Sequence, residues 1–438
     1  MFGGVLLAVN LLNGPRLTAF SVDEAAVVAD SNSRLVLSSN QQLGDVSVEQ
    51  ITVLPESPVS VQTTGVAIIV SFDNPLNYNT DYSVSVRGIT GTSNDRASQF
   101  DVDFRTGEPP LYYLNRDSET PDRILRTRIG SPETAAVFSA SRISEFVTLQ
   151  DNLIVVTPDA DGNSVLSRVD ANGQAVPLTV PGRGTITDLE ALTTENLVGF
   201  RFDSAADVPG RPHQDSLFIL DLSTGVAYPV VGLSGEPLHI TQWGFVGGGT
   251  DVVAELSDAT VMVLDARTNV TGEAAPVRLG AFSRLTALAA DGSRIAVSGP
   301  DGQFLLDLST GSQQSISGTV AGTAVGADEL RFLAGAKGFV RLTTEMDPDT
   351  VGIKQRISLV EGGASRIVYE PASQTEDIVG FSVSPNNQYL AVRIVPNRDE
   401  QTPDGYSENG QARETTTLFV NVETGQIRRS VVGFDALW

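Results

Sequence analysis

An all-β fold is predicted by three observations. Short alternating or wholly apolar runs recur between polar turns, the apolar positions are mostly Val, Ile, Leu and Phe, and no segment carries a sustained helical stripe. At 438 residues the chain is long enough for two or three domains, and 41% hydrophobic residues can fill a large core. The 41 glycines and 22 prolines suit many turns, and helix is expected to be scarce.

The chain opens on an uncharged, mostly apolar leader, residues 1–15, MFGGVLLAVNLLNGP. Its apolar part matches a signal h-region and is shorter than the roughly 20 residues that span a bilayer. A basic n-region and an A-x-A cleavage signal are both missing. The readings are the outer half of a membrane anchor or, against it, a floppy leader or an added edge strand. On the first, everything after Arg16 faces outward from a membrane.

Residues 16–106 alternate strand-like runs with polar turns: RLTAFSV, RLVLSS, VSVEQITVLP, VAIIVSF, DYSVSVRGI and FDVDFRT. About seven short strands in some ninety residues is the pattern of a β-sandwich. The second half carries Pro75, Leu76, Thr80 and Tyr82 in one corner and Phe104 and Thr106 at the close. That arrangement resembles the bacterial Ig-like domain of the S-layer-protein type. The resemblance implies a spacer or adhesion module at the cell surface, with Tyr82 a core residue whose hydroxyl bonds nearby backbone. Residues 107–110, Gly-Glu-Pro-Pro, read as a short stiff linker.

From 111 to 438 the chain repeats. The stretch Ser283–Gly311 reads as three strands parted by Asp-Gly turns, and seven related strand pairs can be counted, from LYYLN with RILRTRI to YLAVRIV with TLFVNV. The sixth pair is read as LRFLAG with RISLVE. A turn recurs as Asp221–Gly225, Asp265–Asn269, Asp307–Gly311 and Asn421–Gly425. Spacing of roughly 42 to 62 residues suits four-stranded blades of a seven-bladed β-propeller. The aspartates serve turns: the side chain bonds backbone ahead of it, and Gly supplies the left-handed residue. Ala289–Ala296 and Ser384–Ala391 resemble the Ser-Pro-Asp-Gly-x-x-Leu-Ala signature of TolB-like, WD40-like propeller repeats. The final VVGFDALW is expected to complete the first blade, so that the C-terminal strand closes the ring.

Long connections fall between the second and third strands of a copy: 115–122, 203–215, 345–352 and 396–414. Three of them belong to copies six, seven and one, which neighbour each other in a closed ring. Their polar residues form the candidate partner-binding arc: Arg116, Asp117, Asp347, Asp349, Lys354, Arg398, Asp399, Asp404, Tyr406, Glu408 and Arg413. The bland alternative is a set of tolerated surface insertions.

Chemistry finds little footing. A net charge of −24 disfavours nucleic acid and anionic lipid and favours solubility. There is no cysteine, so disulfides, thiolate metal sites and thiol catalysis fall away together. His213 and His239 lack metal-ligand spacing, and neither a nucleophile elbow nor a phosphate loop is present. Asp347-Pro-Asp349 and Asp159–Asn163 resemble calcium loops but lack the ladder that ends in a bidentate acid. Trp243 and Trp438 sit in strand-like runs and read as core. The expectation is an extracytoplasmic, non-enzymatic binding or scaffold protein of the bacterial cell envelope. It would need no cofactor, would partner another envelope or surface protein, and could be tethered through its N-terminus. A carbohydrate-active hydrolase or lyase using propeller carboxylates is the alternative.

Overall fold

The computed structural model describes residues 14–116, 120–232, 235, 237–266, 276–320, 323–324, 326–335, 338–346, 352–407 and 409–438. The leader up to residue 13 lies outside them. One compact unit runs to Pro110 and takes in Ser384–Tyr389; the other holds Leu111–Val383 and Leu390–Trp438.

The first unit contains β1 (Leu17–Val22), α1 (Ala26–Ala29), β2 (Ser33–Ser39), β3 (Ile51–Leu54), β4 (Val59–Thr64), β5 (Ala67–Phe72), β6 (Asp81–Gly91) and β7 (Asn94–Arg105). They pair antiparallel into two sheets, β1-β2-β5-β4 and β3-β6-β7. Alternation decides the inner faces. Leu35, Leu37, Ile68, Val70 and Phe72 point in from one sheet, and Val84, Val86, Phe100 and Val102 from the other. Phe72 meets Phe104 edge-on across the gap, with ring centroids 6.2 Å apart.

Tyr82 is 3% exposed and stacks on Phe104, while its hydroxyl accepts the Asn77 N–H at 3.1 Å. Thr106 closes the same corner. Its hydroxyl accepts the Thr80 N–H at 2.9 Å and donates to the Asn77 carbonyl at 2.6 Å. The run VSVEQITVLP divides instead of forming one strand. Ser47 and Gln50 cap a 3₁₀ turn over Val48–Gln50, and β3 begins only after it.

Among the described residues the second unit holds seven four-stranded antiparallel sheets. Most are consecutive in the chain. The first is not: its order is Ser131–Ala140, Asp122–Arg128, Leu111–Asn115 and then the C-terminal strand Phe434–Leu437. Phe434 pairs with Leu114 and Leu437 with Tyr112. Both chain ends of the unit therefore build one sheet.

Apolar runs fill the second strand of each sheet because neighbouring sheets cover both of its faces. Ile154, Val155 and Val156 are all fully buried, as are Ile295, Ala296 and Val297. The cores between consecutive sheets run from first to seventh without interruption. A further core joins the seventh back to the first, through Leu111, Tyr113, Ala391, Phe419, Val431 and Ala436. Trp438 packs at its margin, edge-on to Phe419.

The turn motif has one geometry wherever it is described. The Gly225, Gly311 and Gly425 amides each donate to the carbonyl of the leading Asp or Asn at 2.8 Å, and each glycine has φ near +70°. Residues 267–269 of the remaining copy lie outside the described residues. The sixth sheet corrects the expected pairing. LRFLAG belongs to its first strand, Gly326–Phe332, and the strand beside RISLVE is Gly338–Met346. Buried Arg341 and Thr343 interrupt that strand's apolar run and mask it in the sequence.

Candidate functional site: a central hollow and a pinned loop

The first strands of six sheets, and in the first sheet the C-terminal strand, line a hollow made of neighbouring cavities that share walls. One compartment of about 410 Å³ is lined by Glu145, Asp188, Glu329, Arg331, Arg393 and Asp435 among others. A second, of about 730 Å³, shares Asp188, Leu189 and Arg331 with it and adds Glu190, Gln242 and Trp243. A third, of about 350 Å³, shares Gln242, Thr286 and Arg331 with the second and reaches Gln355.

Charge inside the hollow is largely paired. Arg201 bonds Asp188 and also Asp215 at 3.1 Å; Arg331 bonds Glu329; Arg393 bonds Asp435 at 2.9 Å. Asp188 and Asp435 both have positive φ, 52° and 51°. Asp tolerates that conformation better than most residues, and in Asp188 it coincides with a break in strand register.

Two glutamates act across sheets. Glu145, on the first strand of the second sheet, accepts the amides of Asp188 at 3.2 Å and Leu189 at 2.8 Å, and bonds the Asn409 amide as well. Burial, with Asp188 and Asp435 nearby, pushes its carboxyl up to about 7. Glu190, on the third sheet, accepts the Phe245 amide at 3.2 Å. Its carboxyl is raised too, because protein atoms surround it although the hollow admits solvent. The same device recurs between other sheets: Asp122 holds the Ile143 amide at 2.8 Å, Glu255 the Leu285 amide at 2.5 Å, and Gln355 both polar groups of Ile378.

The expected arc is only partly an open surface. Arg116, Asp404 and Tyr406 do come together, but inward. The Arg116 guanidinium meets Asp404 at 2.6 Å, with the two side chains 3% and 5% exposed. It also donates to the carbonyls of Ile143, Ser144 and Asn409, and stacks 3.7 Å over the Tyr406 ring. The Tyr406 hydroxyl bonds Asp122. These contacts engage all three nitrogens of the guanidinium, so the long loop 396–414 is stapled to the first and second sheets. Its far limb, Asn409 and Gln411, lines the hollow.

Arg398 pairs with Asp377 at 3.0 Å and lies 3.8 Å from Asp399. With Lys354 it borders a side cavity of about 170 Å³. Asp399 and Arg413 are exposed. Asp117, Asp347, Asp349 and Glu408 lie outside the described residues. Asp159 spends its carboxylate on the Asp161 and Asn163 amides, at 2.9 and 2.8 Å, in a self-contained turn. His213 packs edge-on to Phe218, and His239 bridges Ser216 through backbone.

Sequence reasoning looked for a site in the long connections, and so did not single out Glu145, Asp188, Glu190, Gln242 and Glu329 on or beside the first strands. The available signal was acids interrupting apolar runs, as in SEFVTL and TITDLEAL.

No protein-family model and no curated protein matches the chain. Solved structures do. An auxiliary nutrient binding protein from Bacteroides thetaiotaomicron is 10% identical with a TM-score of 0.34, over 80% of this chain and 98% of that one. The dihydro-heme d1 dehydrogenase NirN is 11% identical with a TM-score of 0.43, over 75% of this chain and 74% of that one.

Proposed function

We propose that the chain is a non-enzymatic, extracytoplasmic binding or scaffold protein of the cell envelope. It combines an Ig-like spacer with a seven-bladed propeller sealed by its C-terminal strand. The unbroken circuit of inter-sheet cores, together with the strand shared by both chain ends, supports the propeller reading. The Tyr82 corner, bonded to backbone, supports the Ig-like one. The partner is another envelope or surface protein, met at the outer surface of the long loop near Asp399 and Arg413, and the N-terminus is the tether.

One observation carries the choice of binding over chemistry: the carboxylates of the hollow are engaged. Asp188, Glu329 and Asp435 face arginines, and Glu145 and Glu190 hold backbone amides. A photo-crosslinking residue placed at Asp399 or Arg413 in native envelopes is expected to give a discrete adduct. The same probe at exposed Val176, on an outer edge strand, should give none. Equal labelling at all three positions, or no adduct at the first two, sinks the reading.

The hydrolase reading keeps one support, two raised carboxyls in one hollow. New reducing ends released from envelope polysaccharide, and lost in Glu190→Gln with an unchanged melt, would establish it in place of the first.

A further inference from the structure

We infer that the hollow between the first strands is a binding site for a neutral, hydroxyl-rich small molecule, with a mono- or disaccharide as the fitting class. This ligand is separate from the partner proposed at the long loop. The inference shares with that reading only the ring of sheets.

Size comes first. Compartments of about 410 and 730 Å³ that share a wall fall within the range of small-molecule sites, roughly 300–1,000 Å³.

Charge selects next. Asp188, Glu329 and Asp435 are already matched by Arg201, Arg331 and Arg393. An anion or cation entering the hollow has to compete with a standing ion pair while losing its own hydration, and neither loss is returned. A neutral ligand meets no such competition. Paired guanidiniums keep spare N–H donors and paired carboxylates keep spare lone pairs, so the walls can give and accept at once. Hydroxyl groups do both, which makes a polyol complementary to this lining.

Polar side chains on the wall point to the same class. The half-buried Gln242 amide borders both the second and the third compartments, and an amide donates and accepts as a hydroxyl does. Apolar surface is present beside them. Phe245 lies edge-on to Trp243 at 5.4 Å, and Leu285 and Leu288 complete the patch. A sugar ring can lay its C–H face on such a surface while its hydroxyls reach the polar wall.

The test is calorimetric titration of the full chain with glucose, N-acetylglucosamine and cellobiose, against glucuronate and glucosamine as charged counterparts of glucose. At least one neutral sugar is expected to saturate, with its charged counterpart at least about tenfold weaker. Gln242→Ala should weaken that binding by about tenfold, with the melting temperature unchanged. Charged sugars binding as tightly as neutral ones would overturn the inference. So would no saturable binding of any neutral sugar, or full binding retained in Gln242→Ala. Crosslinking at Asp399 and Arg413 should be indifferent to that substitution, so the two readings fail separately.

Discussion

Arg116 shows how far a loop residue can be drawn into structure. Its guanidinium is nearly buried; a carboxylate and three carbonyls accept from its nitrogens, and an aromatic face covers it. Removing one partner of such a pair leaves the other charge uncompensated, which costs about 3–5 kcal/mol. Arg116→Ala is therefore expected to lower the unfolding free energy by about that much in urea titration. Tyr406→Phe, which deletes one hydroxyl bonded to Asp122, should cost about 1–2 kcal/mol. Equal, negligible effects would mean that the staple does not form. Glu145 gives the residue scale a pH dependence. Its folded value, about 7, lies above the ordinary 4.5, so the folded state holds the extra proton between those limits. Its contribution is complete below pH ~4.5 and lost as pH rises through ~7, about 3 kcal/mol in all. The melting temperature should carry a falling component across that window, and Glu145→Gln should remove it. A slope unchanged in the variant would place the titrating group elsewhere.

At the scale of the element, the C-terminal strand has the largest consequence. Phe434–Leu437 pairs with Leu111–Asn115, and the Gly433 amide donates to the Thr415 carbonyl at 2.9 Å. Gly433 has φ of 144°, and a Cβ there would come within 2.5 Å of the Leu114 carbonyl oxygen. Deleting 433–438 strips the first sheet of a strand and exposes the core around Phe419, so the melt should drop by many degrees. Gly433→Ala should give part of that loss, about 1–3 kcal/mol by denaturant titration. An unchanged melt after the deletion would show that the ring does not depend on its seal. The closing strand was legible in the sequence because VVGFDALW resembles an innermost strand followed by nothing, while the first copy opens without one. In the structure Val431 and Val432 stay with the seventh sheet and Phe434–Leu437 crosses to the first. Turn positions were legible as well, since Asp221, Asp307 and Asn421 each lead a Gly whose conformation few residues accept. Other elements hid for physical reasons. Gly338–Met346 buries Arg341, whose guanidinium reaches the Ser317 carbonyl at 2.7 Å, and a buried charge breaks the pattern on which a strand is read. β4 is half-polar and half-exposed, so it shows no apolar face. The hollow was least legible, because its lining is assembled from a few residues on each of seven strands far apart in sequence. The long loop, by contrast, was visible as an insertion, but nothing in its composition announced that Arg116 would pull it inward.

Over the whole molecule, arginine and the carboxylates play unequal parts. The chain has 27 arginines and only two lysines, Lys337 and Lys354, against 53 acids. Several arginines are spent between sheets: Arg366 on the Val422 carbonyl at 2.8 Å, Arg429 on Thr134 at 3.1 Å, Arg393 on Asp435. Planar, multiply donating guanidinium suits such seams better than a point-charged ammonium. Acids at turns stay outside; Asp307, bonded by Ser309 and Thr310, is lowered to about 2. The excess of −24 is thus carried mainly by exposed carboxylates that repel one another over the surface. Two terms then compete when salt is added. Screening weakens exposed pairs such as Arg105–Asp81, each worth about 0–1 kcal/mol, and it also relieves the self-repulsion of the whole surface. Among the described residues few pairs are exposed, and the excess charge is large, so relief should win. Raising NaCl from ~10 mM to ~0.5 M shortens the screening length from about 30 Å to about 4 Å. The melting temperature is expected to rise by several degrees in scanning calorimetry, with most of the gain below ~0.2 M, where screening length changes fastest. Sodium chloride is the proper salt, because sulfate would strengthen apolar burial in any protein and blur the comparison. A melt that falls with added chloride would mean that the ion pairs outweigh the repulsion. The arginine seams would then be more exposed to solvent than their burial implies.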